Sequence, residues 1–197
     1  MTSIYKTKAL WWLLFSAALL PLIYILLMAV FGDLGSEPAK AVVEFLGETA
    51  LIFLIITLSI SPVRKIPVFR GLVRYRRMTG LYVFFYALMH LMSYSILLVD
   101  WLNFLEDIYK RPYVTMGFSA FIILSALAVT SPKIMVKKLG RRWKPLHRFV
   151  YLAAILVLVH VWWQVRSDYT EAISYAAAVL FLLSFRFSYF RSLIQKA

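Results

Sequence analysis

The chain contains three histidines, His90, His147 and His160, and no cysteine. A neutral imidazole is the commonest metal ligand among side chains. Without thiols there can be no disulfides, cysteine-held iron–sulfur clusters, cysteine zinc sites or CxxCH haem attachment, so any metal must be held by His, Met or oxygen donors. His90 and His160 occupy matching places in an internal repeat. Ser61-Pro62-Val63-Arg64 and Ser131-Pro132-Lys133 each end an apolar run and open a basic one. His90 follows Pro62 by 28 residues and His160 follows Pro132 by 28, an offset of 70 that Leu88 and Leu158 share.

The elements that must position these residues are membrane spans. Of the 197 residues 62% are hydrophobic and the mean hydropathy is +0.79, against roughly 45–50% apolar in a soluble domain. A bilayer-crossing helix needs about 20 apolar residues. Six runs qualify as candidates: Leu10 to Phe31, Phe45 to Ile60, Thr79 to Val99, Tyr113 to Val129, Phe149 to Val165 and Ala172 to Phe190. Pro21 is expected to kink the first. That run follows only Lys6 and Lys8, and no small-residue cleavage site follows it, so it reads as a retained helix rather than a signal peptide. The expected fold is an all-α integral membrane bundle of six transmembrane helices forming one domain over residues 1–197.

Charge fixes the expected orientation. The nine acids fall in the first, third and fifth loops or at their edges. Of the 22 Lys and Arg only Lys40, Lys110, Arg111 and Arg166 share that side. The second loop holds Arg64, Lys65, Arg70, Arg74, Arg76 and Arg77, and the fourth Lys133, Lys137, Lys138, Arg141, Arg142 and Lys144. Basic residues mark the cytoplasmic side, so both termini are expected there. The net charge of +13 is then accounted for by orientation and anionic lipid, not nucleic acid.

The third and fifth runs start at the cytoplasm and run parallel. His90 and His160 each lie about a dozen residues in, or roughly 15–20 Å along the axis. Two imidazoles at one depth on neighbouring helices suit axial ligation of one haem between helices 3 and 5. Each could instead be a helix–helix hydrogen-bonding histidine, but in hydrocarbon an ionisable residue is costly and functional by default. With every Asp and Glu read in a loop or at a span edge, an ion-coupled transporter is disfavoured.

His147 follows Pro145 at the cytoplasmic mouth of the fifth run, 13 residues before His160, or roughly 20 Å along the axis. That spacing suits an inner and an outer haem. A straight helix, however, would put the two histidines about 220° apart around its axis, and the repeat mate of His147 is Arg77. His147 can therefore be read as ligand of an inner haem, as a contact to a flavin, a quinone or a haem propionate, or as an interfacial histidine. Arg77, Arg141 and Arg142, beside helix starts, are candidates to pair with haem propionates or a flavin phosphate. The six tryptophans lie near span ends, as interfacial anchors do, and Met78, Met89 and Met92 read as packing.

Several segments together resemble one bacterial family. They are Arg76-Arg77-Met78-Thr79-Gly80-Leu81, the His90 helix, Arg111-Pro112-Tyr113-Val114-Thr115-Met116-Gly117, and Leu139-Gly140-Arg141-Arg142-Trp143-Lys144-Pro145-Leu146-His147-Arg148-Phe149-Val150-Tyr151-Leu152 through His160. The family is the haem-binding membrane subunit of the periplasmic protein-methionine-sulfoxide reductase system (MsrQ, formerly YedZ), within the ferric-reductase-like transmembrane group. The resemblance implies a bacterial inner-membrane protein that binds b-type haem and FMN and takes electrons from the quinone pool. It implies delivery to a periplasmic molybdenum-cofactor reductase that repairs methionine sulfoxide in envelope proteins. The family's functional histidines map onto His90, His147 and His160. Relatives with two haems use four histidines, and Arg77 stands at the fourth position, so the resemblance leaves one or two haems open.

The reading is an electron-transfer subunit rather than the catalytic one. The competing expectations are a transmembrane ferric or cupric reductase, and a non-redox small transporter or assembly factor with structural histidines.

Overall fold

The computed structural model describes residues 2–32, 34–100, 102–165 and 168–194, with side chains described between 8 and 185 of these. Lys6, Asp33, Trp101 and Arg166, used above, lie outside the described side chains, as do residues 186–190 of the sixth run. The described residues form helices and no strand. These are α1 (Thr2–Ala17), α2 (Leu20–Phe31), α3 (Pro38–Val63), a 3₁₀ segment Pro67–Tyr75, α4 (Arg76–Leu97), α5 (Phe104–Lys110), α6 (Pro112–Val129), α7 (Lys133–Leu139), α8 (Trp143–His147), α9 (Val150–Gln164) and α10 (Thr170–Ile194).

Proline sets several of the starts. It stands in the first turn of α2, α3, the 3₁₀ segment and α6, where its missing N–H costs no helical bond and its fixed φ suits the helix. α2 ends at Gly32, whose φ of 73° lets its N–H turn back to Met28 O, a geometry that favours glycine.

The first expected run is one span, Lys8–Phe31, with a short interruption at Ala18 and Leu19. α1 stops at Ala17 and α2 starts at Leu20, just before Pro21. The hydroxyls of Tyr82 and Tyr86 on α4 donate to Phe15 O at 2.8 Å and Ala18 O at 2.6 Å across that break. Backbone acceptors loosened in an apolar surrounding thereby regain partners.

α3 packs along α4 and α6 packs along α9, the two most extensive helix contacts among the described residues. These pairs are the three-dimensional form of the 70-residue repeat. α4 also meets α6, α10 lies against α3 and α9, and α2 against α3. One buried cluster joins Ala18 and Ile25 to Tyr75, Met78, Tyr82 and Tyr86. A second joins Leu51, Leu54 and Leu58 to Val83, Leu124 and Val179 around the fully buried Ala153 and Ala154. Small side chains of this kind let helix backbones approach closely.

Lys8–Phe31, Pro38–Val63, Pro67–Leu97 and Pro112–Val129 are long and apolar enough to cross a bilayer. A fifth span results if Lys133–His147 and Val150–Gln164, bent by 43°, count together, and Thr170–Phe185 is a shorter apolar helix. The fifth expected run is thus a 15-residue helix extended by a bent arm. Leu13, Leu27, Ile52, Ile122, Ile155 and Phe181 are exposed on the spanning helices, apolar surface of the kind that hydrocarbon covers. Glu44 and Glu48, assigned above to a loop edge, lie inside α3, and the Tyr175 hydroxyl of α10 donates to the Glu48 carboxylate. Pro38 starts this helix earlier than hydropathy alone suggests.

Candidate functional site

His90 sits in the last third of α4 and His160 near the end of α9. Their ring centres are 6.2 Å apart and the planes are inclined at 79°. Nδ1 of His90 is 2.8 Å from Val43 O on α3, and Nδ1 of His160 is 2.7 Å from Tyr113 O on α6. A carbonyl only accepts, so each Nδ1 carries the proton and each Nε2 keeps its lone pair. Neither Nε2 has a hydrogen-bond partner among the described residues. A first-row metal bonds imidazole nitrogen at about 2 Å, so one ion between two imidazoles sets their ring centres roughly 6 Å apart. The observed spacing has that value. Among the described residues no cluster of three or more His, Asp and Glu forms.

Both histidine seats have the same construction. Histidine and carbonyl are 47 residues apart in each. In each, the ring also covers a glycine one helical turn beyond the carbonyl. A Cβ at Gly47 would fall 2.8 Å from His90 Nδ1 and 2.9 Å from its Cε1, and one at Gly117 would fall 2.8 and 2.9 Å from the same atoms of His160. Val43/Tyr113, Gly47/Gly117 and His90/His160 all keep the offset of 70. The sequence reading found only the histidines of this set. The signal for the glycines was available, because two of only seven glycines share the histidine offset.

A polar network adjoins the His160 seat. Asp107 on α5 is buried, takes a hydrogen bond from the Tyr94 hydroxyl of α4, and pairs with Arg111 Nε at 2.6 Å. Arg111 Nη1 donates to the Tyr113 hydroxyl at 3.1 Å. Burial of the carboxylate is tolerable because charge and hydrogen bonds meet it on two sides. Tyr113 thus joins this network through its hydroxyl and the imidazole through its carbonyl.

His147 is placed differently. It ends α8 and stacks on Trp143, with ring centres 4.1 Å apart. The Thr130 hydroxyl at the end of α6 gives its proton to Ala126 O at 2.7 Å, so His147 Nε2–H donates to Thr130 Oγ1 at 3.1 Å. Trp143 Nε1 donates to Thr130 O at 3.0 Å. Burial disfavours charge on His147 first, and the positive charge of Arg76 in the first turn of α4 adds to that. Arg77, Arg141 and Arg142, the candidates for haem propionates or a flavin phosphate, are exposed, the first in the first turn of α4 and the other two in the turn before α8. The structure therefore joins His90 to His160 and leaves His147 in a separate corner with Thr130, Trp143 and Arg76.

Comparison with known proteins adds an independent line. A family model described as the ferric reductase like transmembrane component matches residues 14–158. Protein-methionine-sulfoxide reductase heme-binding subunits MsrQ of Pectobacterium carotovorum subsp. carotovorum and of Pectobacterium atrosepticum are each 43% identical to this chain over 182 residues, 91% of it and 92% of each relative. No solved structure matches the chain. Similarity over nearly its full length, in a helical bundle with a paired-histidine site, shows that the chain belongs to the MsrQ (YedZ) family of the ferric-reductase-like transmembrane group.

Proposed function

We propose that this chain is the membrane electron-transfer subunit for a periplasmic methionine-sulfoxide reductase, with b-type haem held between His90 and His160. The observation that carries the reading is the 6.2 Å ring separation with both Nδ1 atoms tied to carbonyls. Two protein ligands leave the other coordination positions of an iron ion to a planar chelator, which suits a porphyrin. Haem, when bound, supplies reversible one-electron redox chemistry.

The chain's own residues hold and tune that centre. Val43 and Tyr113 carbonyls fix the imidazole tautomers and raise ligand basicity. Six helices over residues 1–197, as one domain with both termini cytoplasmic, put the pair nearer the periplasmic side. Electrons from the quinone pool, with FMN as a further cofactor, enter at the cytoplasmic end. There His147 and Trp143 stack within reach of the charge of Arg76, and Arg77, Arg141 and Arg142 offer cations for anionic cofactor groups. The partner is a molybdenum-cofactor reductase at the outer face of the bacterial inner membrane. Its reaction, methionine sulfoxide to methionine and water, consumes two electrons and two protons. The heme-binding subunits similar to this chain support the haem and the partnership.

The test is the visible spectrum of purified protein made with ample haem. A bis-imidazole b-type spectrum is expected, and His90→Ala and His160→Ala should each abolish it completely. Full retention of the spectrum by either variant would remove the pairing.

A further inference from the structure

The two imidazoles rest on helix backbone rather than on side chains. In an α-helix the carbonyl of residue i accepts from the N–H of i+4, so Val43 O serves Gly47 and Tyr113 O serves Gly117. Each Cα–Cβ bond tilts toward the helix N-terminus, so a side chain at i+4 lies over the turn that carries carbonyl i. At Gly47 and Gly117 that cover is missing, and an imidazole fills the space. A Cβ at either glycine would come within 2.8–2.9 Å of the ring, closer than van der Waals contact allows. The open side of each carbonyl is where Nδ1 arrives, at 2.8 and 2.7 Å. Gly80 provides the contrast inside the same bundle, since a Cβ there would meet only Thr57 Cγ2, at an ordinary 3.7 Å.

We propose that Gly47 and Gly117 are positioning residues for the two ligand imidazoles. Each keeps one carbonyl of the facing helix uncovered, so that the ring lies against backbone, donates Nδ1–H and leaves Nε2 for the metal. The inference rests on the haem reading above. A methyl group at either glycine pushes the ring from its acceptor. The imidazole then becomes a weaker electron donor, the oxidised metal is less well stabilised and the reduction potential rises. Because the two seats match, either substitution should act on the same centre.

The full-length chain carrying Gly47→Ala, Gly117→Ala or Gly80→Ala tests this. The first two should lower haem affinity roughly 10–100-fold, raise the midpoint potential and alter the low-spin electron paramagnetic resonance signal. Gly80→Ala should leave all three unchanged. A double-mutant cycle in protein prepared without haem supplies a second readout. The destabilisation caused by Gly117→Ala should vanish in a His160→Ala background and persist in a His90→Ala background, with the mirror result for Gly47→Ala. If a single glycine variant does not accumulate, the matching His→Ala double variant should accumulate as well as the histidine variant alone. Wild-type affinity, potential and resonance in both glycine variants, or an additive cycle, would overturn the proposal. If His90→Ala and His160→Ala keep the haem spectrum, the haem reading fails instead, while the cycle still decides whether ring and glycine compete for space.

Discussion

At the level of His90 and His160 both imidazoles donate Nδ1–H to a carbonyl and keep Nε2 free, whereas His147 spends Nε2 on Thr130 and lies flat on Trp143. The repeat follows the same division. Around the pair it keeps the glycine and the histidine and places a backbone carbonyl, of Val43 or Tyr113, at the same position. At the residues of the His147 corner it does not hold, with Ile60 opposite Thr130, Val73 opposite Trp143 and Arg77 opposite His147, although Ser61-Pro62 and Ser131-Pro132 still match beside Thr130. The two helical hairpins are alike where two imidazoles face each other and differ where His147 stands alone. Equal depth and equal seats belong to the first level, and a one-sided basic, aromatic corner to the second.

The largest expected effect separates the two levels directly. His147→Ala should keep the whole bis-imidazole spectrum that His160→Ala eliminates, while its reduction by quinol slows and its reduction by dithionite does not. Loss of the same absorbance in both variants would merge the two levels and undo the comparison.

A smaller effect distinguishes the two seats within the pair. Tyr113 is braced through Arg111 and Asp107, while its repeat mate Val43 has no hydroxyl to brace. Asp107→Asn removes the ion pair and weakens the Tyr94 hydrogen bond, at a cost of about 1–3 kcal/mol in reversible unfolding. Resonance of the bound metal should show the His160 side disturbed and the His90 side retained. Equal disturbance of both would mean that the network stabilises the bundle as a whole.

The smallest effect lies at the His147 corner. Thr130→Val takes away the acceptor of Nε2–H and should cost about 0.5–1.5 kcal/mol, with the spectrum of the His90–His160 centre unchanged. A spectral change as large as that from a lost axial ligand would show that the corner and the pair are one site.

Much of this was legible from hydropathy and charge, because span position depends on composition over about 20 residues. α4, α6 and α9 each start and stop within a few residues of the expected runs, and the two histidines of the repeat do meet. Features that depend on a facing helix were not legible. Gly47 and Gly117 acquire meaning only when α4 and α9 turn a ring toward them. Arg76 is half-buried and Arg77 exposed, a difference set by the turn entering α4 that the run of charges could not show. Glu48 was assigned to a loop edge because a carboxylate lowers local hydropathy, although the helix begun by Pro38 carries it onward to meet Tyr175. The bend of 43° before α9 also removes the straight-helix geometry on which the 220° separation of His147 and His160 depended.

The interruption before Pro21 has a bearing on biogenesis. During synthesis the N-terminal segment reaches the lipid long before Tyr82 and Tyr86 leave the ribosome. Until then Phe15 O and Ala18 O have no hydroxyl to answer them. The opening segment completes its main-chain bonding only with α4 beside it, so a product ending before that helix would carry two carbonyls without these hydroxyl partners.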